Sequence, residues 1–180
     1  VPLHRGISVT TSVYHIPAIH VTAKAVFTNT LPTHTYRGAG RPEAMYLMER
    51  LIDTAAAETG MDPVALRRRN LIPSSAMPYA NLTGMVFDSG EFEKSMDMAL
   101  ELADWDGFEA RKRAAASSGL LLGRGLCNYI ETATGLPPER TEIYVSGQGR
   151  IDLIAGTNDS GQGHATSYAQ LITEWLGVPF

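Results

Sequence analysis

Apolar residues between positions 44 and 55 fall on one helical face: Ala44, Leu47, Met48, Leu51, Ile52 and Ala55. Pro42 suits the first turn of that helix and Gly60 its stop. Asp62-Pro63 then opens a short helix through Asn70, with Asp as cap and Pro at the first helical position. Phe92, Met96, Ala99, Leu100 and Ala103 mark another amphipathic helix, entered through a capping-box spacing at Asp88 and Glu91. A further helix is predicted over Phe108 to Ala116. Residues Ile7 to Phe27 are rich in Val, Ile, Thr and Tyr and predict two strands broken near Pro17. Asn29 to Pro42 predicts a loop, and Pro73 to Ser89 an irregular stretch. The last third predicts strands at Gly125 to Thr132, Thr141 to Val145 and Arg150 to Ala155, the latter two joined by the turn Ser146-Gly147-Gln148-Gly149. A polar loop, Gly156 to Gly163, then opens a helix with Ala165, Tyr168, Ala169, Ile172 and Leu176 inward, stopped by Gly177 and Pro179. Strands, then helices, then strands and a helix give an α+β class. Three sections follow from it: residues 1–42 with strands and a loop, 43–117 helical, and 118–180 with strands, a second loop and a helix. No strand follows the final helix, so the chain reads as a piece of a larger layered domain.

Composition narrows the partners. The 180 residues carry a net charge of −4, which makes a poor trap for polyanions and argues against nucleic acid. The basic triplets Arg67-Arg68-Arg69 and Arg111-Lys112-Arg113 sit in helical segments, where a solvated face is expected. The single cysteine, Cys127, cannot form an internal disulfide or a cysteine-based zinc site, and suits a reducing cytoplasm. No apolar run reaches the roughly 20 residues that span a bilayer, so no membrane association is expected.

Two loops carry candidate chemistry. In Thr35-Tyr36-Arg37-Gly38-Ala39-Gly40-Arg41-Pro42-Glu43, glycines let backbone N–H groups approach a ligand, and the loop empties into a helix N-terminus that favours anions. Arg37 and Arg41 add fixed charge and forked donors. In Gly156-Thr157-Asn158-Asp159-Ser160-Gly161-Gln162-Gly163-His164-Ala165-Thr166, a strand again passes through a glycine-rich turn into a helix. Gln162 donates and accepts, and the Thr166 hydroxyl lies in the first helical turn. The lysine of a P-loop is absent, which ranks nucleoside triphosphate binding last. Alone, the first loop is equally well read as a structural loop with surface arginines, and the second is better read as a capped helix behind a tight turn. His15, His20 and His34 are spaced too irregularly to predict a metal triad.

Together the loops resemble a known family. Tyr36-Arg37-Gly38-Ala39-Gly40-Arg41-Pro42-Glu43-Ala44 resembles the active-site loop of molybdenum hydroxylases of the xanthine dehydrogenase, aldehyde oxidase and carbon monoxide dehydrogenase group. Gly161-Gln162-Gly163-His164-Ala165-Thr166 resembles their Gly-Gln-Gly-x-x-Thr cofactor motif. Met61 to Ile72, Phe87-Asp88-Ser89-Gly90 and Gly123-Arg124-Gly125-Leu126 are similar to the family's connectors, so the resemblance runs from about Ala25 to Pro179. It implies the molybdopterin-binding region of a large subunit that hydroxylates a carbon centre with water as oxygen source. It implies molybdopterin, as the cytosine dinucleotide, with molybdenum; 2Fe-2S clusters and FAD sit on small and medium partner subunits. Arg37, with the Gly38 and Ala39 backbone, is implied beside the metal; Gly161, Gln162, Gly163 and Thr166 are implied against the pterin and its phosphate, so that both loops reach one cofactor.

Departures from the pattern narrow the subfamily. Copper-containing carbon monoxide dehydrogenases place a cysteine where this chain has Gly38, and without a thiolate Cu(I) loses its soft ligand. Xanthine dehydrogenases carry an aromatic at the position of Ala39, which cannot stack on a purine. An aldehyde or heterocycle remains as the small-molecule substrate. The family's catalytic glutamate is expected beyond Phe180; Glu43, Glu131 and Glu174 do not match its motif. Asn128, Tyr129 and Glu131 are read as packing residues near the substrate funnel. The chain alone is therefore expected to be inactive, to bind no cofactor and to self-associate. The alternative is a non-catalytic interaction or scaffold domain that retains the fold.

Overall fold

The computed structural model describes residues 2–32, 34–131 and 138–180, with side chains from residue 4 onward. Thr33 of the first loop and Thr132 of the strand expected at its C-terminal end lie outside these. The elements, in order, are α1 (Pro2–Ile7), α2 (Arg41–Thr59), α3 (Pro63–Asn70), a 3-10 turn (Ser74–Ala76), β1 (Tyr79–Ala80), β2 (Val86–Phe87), α4 (Phe92–Leu102), α5 (Phe108–Ser117), β3 (Thr141–Val145), β4 (Ile151–Ala155) and α6 (His164–Leu176). This is an α+β chain, and it divides into two compact units, Val1–Glu131 and Thr132–Phe180.

In the first unit, local chemistry sets the helix ends. Gly40 precedes α2 and Gly60 follows it, both left-handed. Asp62 caps α3 by accepting from the Ala65 N–H at 2.7 Å, as its place before Pro63 predicts. The capping box before α4 does not form. Glu91 is itself the N-cap but its carboxylate caps no backbone N–H, and it pairs instead with the Lys94 side chain in the first turn of the helix at 3.1 Å. The buried side of α2 is also rotated from the expected one. Ala44 is buried, but so are Arg41, Met45, Glu49 and Ala56, whereas Leu47 and Leu51 are exposed. The buried charges have partners on neighbouring segments, and those partners, rather than the apolar spacing alone, fix which face turns inward.

The strands expected over Ile7 to Phe27 do not form. Residues 6–14 instead wind through successive turns, from Val9 N–H donating to the Gly6 carbonyl to Tyr14 N–H donating to the Thr11 carbonyl. Ser8 and Thr10 hydroxyls donate to carbonyls of α1, offering the backbone an alternative to a sheet ladder. Within this stretch only Tyr14 pairs in β fashion, with Leu71. Residues 125–131 likewise form no strand and no ladder. Side chains hold them instead: Leu126 and Ile130 pack on the core of Val13, Tyr14, Leu71 and Met96, and Ile130 also reaches the cluster of Val9, Ala44 and Met45. A small hairpin, β1 against β2, stands within the stretch expected to be irregular.

One buried ion network crosses this unit. Arg67, fully buried, donates from Nε to Glu49 at 2.8 Å and from Nη2 to Asp53 at 2.9 Å and to the Leu126 carbonyl at 3.0 Å. Tyr14 Oη donates to Glu49 at 2.6 Å, and the Asn128 amide donates to Tyr14 Oη at 3.0 Å. Burial pulls against the Arg67 charge, but Glu49 and Asp53 outweigh it and raise its pKa; burial also pushes the Tyr14 phenol up. The solvated face expected for the first basic triplet holds for Arg68 and Arg69 and fails for Arg67, because two carboxylates meet it inside.

In the second unit β3 and β4 form an antiparallel hairpin, Thr141 opposite Ala155 and Val145 opposite Ile151, closed at Ser146–Arg150 as the turn composition predicts. In α6, Tyr168, Ala169 and Ile172 turn inward, while Leu176 stays exposed. An apolar groove of about 750 Å³ is lined by Leu153, Tyr168, Ile172 and Phe180 among others.

Candidate cofactor site

The first candidate loop lies in the first unit, where residues 37–40 form a turn of unusual backbone. Gly38, Ala39 and Gly40 have φ of 81°, 48° and 101° in succession. For Ala39 that region is unfavourable, so the surroundings must hold it there. The turn closes through Ala39 N–H to the Tyr36 carbonyl at 2.8 Å and Arg41 N–H to the Gly38 carbonyl at 3.1 Å. A Cβ on Gly38 would sit 2.5 Å from Pro42 Cδ and 3.1 Å from Tyr129 Oη. Gly6 of α1 lies so close beneath that a Cβ there would meet the Gly40 carbonyl oxygen at 2.7 Å. Arg37 is exposed, and Arg41 is buried, donating to the Gly38 carbonyl at 3.1 Å and pairing with Glu131 at 2.7 Å. Tyr129 Oη donates to the other Glu131 oxygen at 2.8 Å. Partial burial, then Glu131, push the Tyr129 phenol up to about 12.

The second candidate loop lies in the second unit. The backbone N–H groups of Gly161, Gln162, Gly163 and His164 all donate to the Asp159 carboxylate, at 2.7, 2.9, 3.3 and 3.1 Å. The Gly161 N–H, followed by those of Gly163, His164 and Gln162, holds the Asp159 carboxyl below the usual range. Gln162 Oε1 accepts from the Ser160 N–H, which leaves its amide N–H groups as donors; Thr166 is exposed in the first turn of α6. His164 stacks on Tyr168 at 5.0 Å. Because the Asp159 pKa is depressed on folding, its contribution is complete above the unfolded value of about 3.9 and is lost as pH falls through the folded value. Amide chemical shifts of residues 161–164 are expected to hold down to pH values below that of an ordinary aspartate and then change together. In Asp159→Ala they should be altered at every pH, and an unchanged spectrum would contradict the geometry.

Arg37, Gly38 and Ala39 thus share one turn; Gly161, Gln162 and Gly163 share another, with Thr166 in the helix that follows it. Sequence reasoning missed the Arg41–Glu131–Tyr129 group and Asp159. Nothing in local spacing links Arg41 to Glu131, whereas an aspartate two residues before a glycine turn is a recognisable signal. Among the described residues, no three His, Cys, Asp or Glu side chains are grouped to hold a metal ion. Cys127 donates from Sγ to the Asn128 carbonyl, and partial burial pushes its thiol pKa up.

Residues 1–71 match one family model described as a molybdopterin cofactor-binding domain, and residues 98–180 match a second model of the same description. The chain belongs to the molybdenum hydroxylase family. It is 34% identical to the carbon monoxide dehydrogenase large chain of Hydrogenophaga pseudoflava, over 92% of this chain and 23% of that one. It is 30% identical to the nicotine 6-hydroxylase large subunit of Paenarthrobacter nicotinovorans, over 94% of this chain and 22% of the relative. The crystal structure of quinoline 2-oxidoreductase from Pseudomonas putida 86 superimposes with a TM-score of 0.83 at 31% identity, covering 98% of this chain and 24% of that one. The chain therefore spans about a quarter of the length of these molybdenum hydroxylase relatives. Among the described residues, no helix is long and apolar enough to cross a membrane.

Proposed function

We propose that the chain forms part of the molybdopterin-binding large subunit of a cytoplasmic hydroxylase that oxidises an aldehyde or an aromatic heterocycle, with water as the oxygen source. The Arg37–Gly40 turn carries this proposal. It gives three successive left-handed residues before α2, and no room at Gly38 for the side chain that a copper ligand would need. Ala39 supplies a methyl group and no ring to stack on a purine. The relatives named for nicotine and quinoline are heterocycle enzymes by name, in keeping with that substrate class.

The residues fit the cofactor. The N–H groups at 161–164 converge on a carboxylate and so are built to face negative charge, but Asp159 already fills them. Ligand contacts in that loop therefore fall to the Gln162 amide and the Thr166 hydroxyl, with Gly161 and Gly163 permitting close approach. In the other loop, Arg37 and the backbone of Gly38 supply donors, whereas the Ala39 N–H already donates to the Tyr36 carbonyl and Ala39 lends only its close approach. When bound, the molybdenum centre supplies the two-electron oxidation, while the protein orients it and tunes its surroundings. We further propose the cytosine dinucleotide form, and electron transfer through 2Fe-2S and FAD centres on small and medium subunits.

In the assembled enzyme, Arg37→Ala is expected to lower molybdenum content or turnover at least tenfold. Arg68→Ala, which removes only exposed pairs with Glu93 and Asp97, should leave both within twofold. Metal analysis and dye-reduction assays decide, and equal near-wild-type values for both variants would remove Arg37 from the site. A scaffold domain without cofactor chemistry would give that second result.

A further inference from the structure

We propose that Glu131 is a positioning residue, holding the Arg37–Gly40 turn in its strained form through Arg41 and Tyr129. The inference rests on the cofactor role of that turn proposed above and names what keeps it in place.

Left-handed backbone at a non-glycine residue persists only where neighbours leave no alternative. Hydrogen bonds inside the turn, from the Ala39 and Arg41 N–H groups, close it but do not anchor it to the body of the protein. Besides the close packing of Gly6 beneath Gly40, side-chain anchoring among the described residues comes from residues 129–131. One Glu131 oxygen takes the Arg41 guanidinium at 2.7 Å, and the same Arg41 Nη1 donates to the Gly38 carbonyl at 3.1 Å. The other oxygen takes the Tyr129 hydroxyl at 2.8 Å, and that hydroxyl stands against the open face of Gly38. A single carboxylate thus fixes two side chains that meet the same residue from its carbonyl and its α-carbon. Arg41 is buried, so its charge needs this partner. The segment bearing Glu131 is itself tied down: Ile130 packs in the core, Asn128 bonds Tyr14, and the Leu126 carbonyl accepts from Arg67. A rigid interior network is thereby connected to the turn that faces the proposed ligand.

Amide hydrogen exchange on the purified protein tests this. Glu131→Ala is expected to speed exchange at the Ala39 and Arg41 amides at least tenfold, with α4 unchanged as an internal reference. Glu131→Gln keeps one acceptor oxygen for Arg41 and offers its amide N–H to the Tyr129 oxygen, but loses the charge, and should restore only part of the protection. Tyr129→Phe removes one arm by deleting a single hydroxyl from a half-exposed ring, and should give an intermediate increase of about threefold or more. Wild-type exchange at both amides in Glu131→Ala, or in Tyr129→Phe should the first variant not fold, overturns the proposal. So does an equal rise throughout α4, which would mean general loosening. Molybdenum content of the same variants in the assembled enzyme is read separately. Faster exchange with molybdenum fully retained leaves Glu131 as the anchor and removes the turn from the cofactor site.

Discussion

Arg67→Ala is expected to cost about 3–5 kcal/mol of stability, because it strands the buried Glu49 carboxylate rather than merely deleting a contact. Arg67 is wholly inside, Glu49 is nearly so, and Asp53 is partly exposed. Tyr14 Oη would still satisfy one Glu49 oxygen, but the other, together with the charge itself, would lose its partner. The Leu126 carbonyl would lose a donor as well, freeing the stretch that holds Asn128 and Glu131. Urea unfolding followed by circular dichroism measures the loss. Arg68→Ala, one residue along the same helix, should change stability by no more than about 1 kcal/mol, because its carboxylate partners are in water. Replacing the pair together, Arg67→Met with Glu49→Leu, should recover part of the loss, since an apolar pair does not need charge compensation. A single Arg67→Ala variant within about 1 kcal/mol of wild type would mean that the network forms without holding the unit together.

That network also marks where the sequence stops being readable. Helices at 41–59, 63–70, 92–102, 108–117 and 164–176 and the hairpin at 141–155 follow from periodicity, caps and turn composition, all of them local signals. What failed depends on distant partners, or on side chains that bond the nearby backbone. Residues 7–27 and 125–131 have β-favouring side chains, which encode an extended preference but not a neighbour to pair with. At Ser8 and Thr10 hydroxyls take the backbone carbonyls; at 125–131 side chains from α3 and Tyr14 replace a ladder. Arg41, Glu49 and Arg67 look like surface residues in a helical pattern and are buried because each finds a countercharge on another segment. The candidate loops were legible by contrast, since glycines and arginines at close spacing are local. Their supports, Glu131 and Tyr129, lie about ninety residues away in the chain, and no spacing rule connects them to Gly38.

Gly38→Cys is expected to abolish cofactor retention rather than to convert the protein into a copper-dependent carbon monoxide oxidiser. The side chain would have to adopt a φ near 81°, which costs about 1–3 kcal/mol in backbone strain alone. Its Cβ would also approach the Pro42 ring to 2.5 Å and Tyr129 Oη to 3.1 Å. A proline ring fixed at the start of α2 cannot swing aside as the end of a long side chain could, so the turn itself must open. Opening it moves Ala39 and the Arg37 backbone, the groups proposed to face the molybdenum. Gly38→Ala supplies the same Cβ without a thiol and should lose molybdenum to the same extent, at least tenfold, which separates steric expulsion from metal chemistry. Metal analysis of both variants after Cu(I) addition, with carbon monoxide and an aldehyde as alternative substrates, makes the comparison. Stoichiometric copper and full molybdenum in Gly38→Cys would mean that the turn admits a side chain at this position. The absence of a thiolate would then be the whole difference from the copper enzymes, and the steric case for an aldehyde or heterocycle substrate would fall.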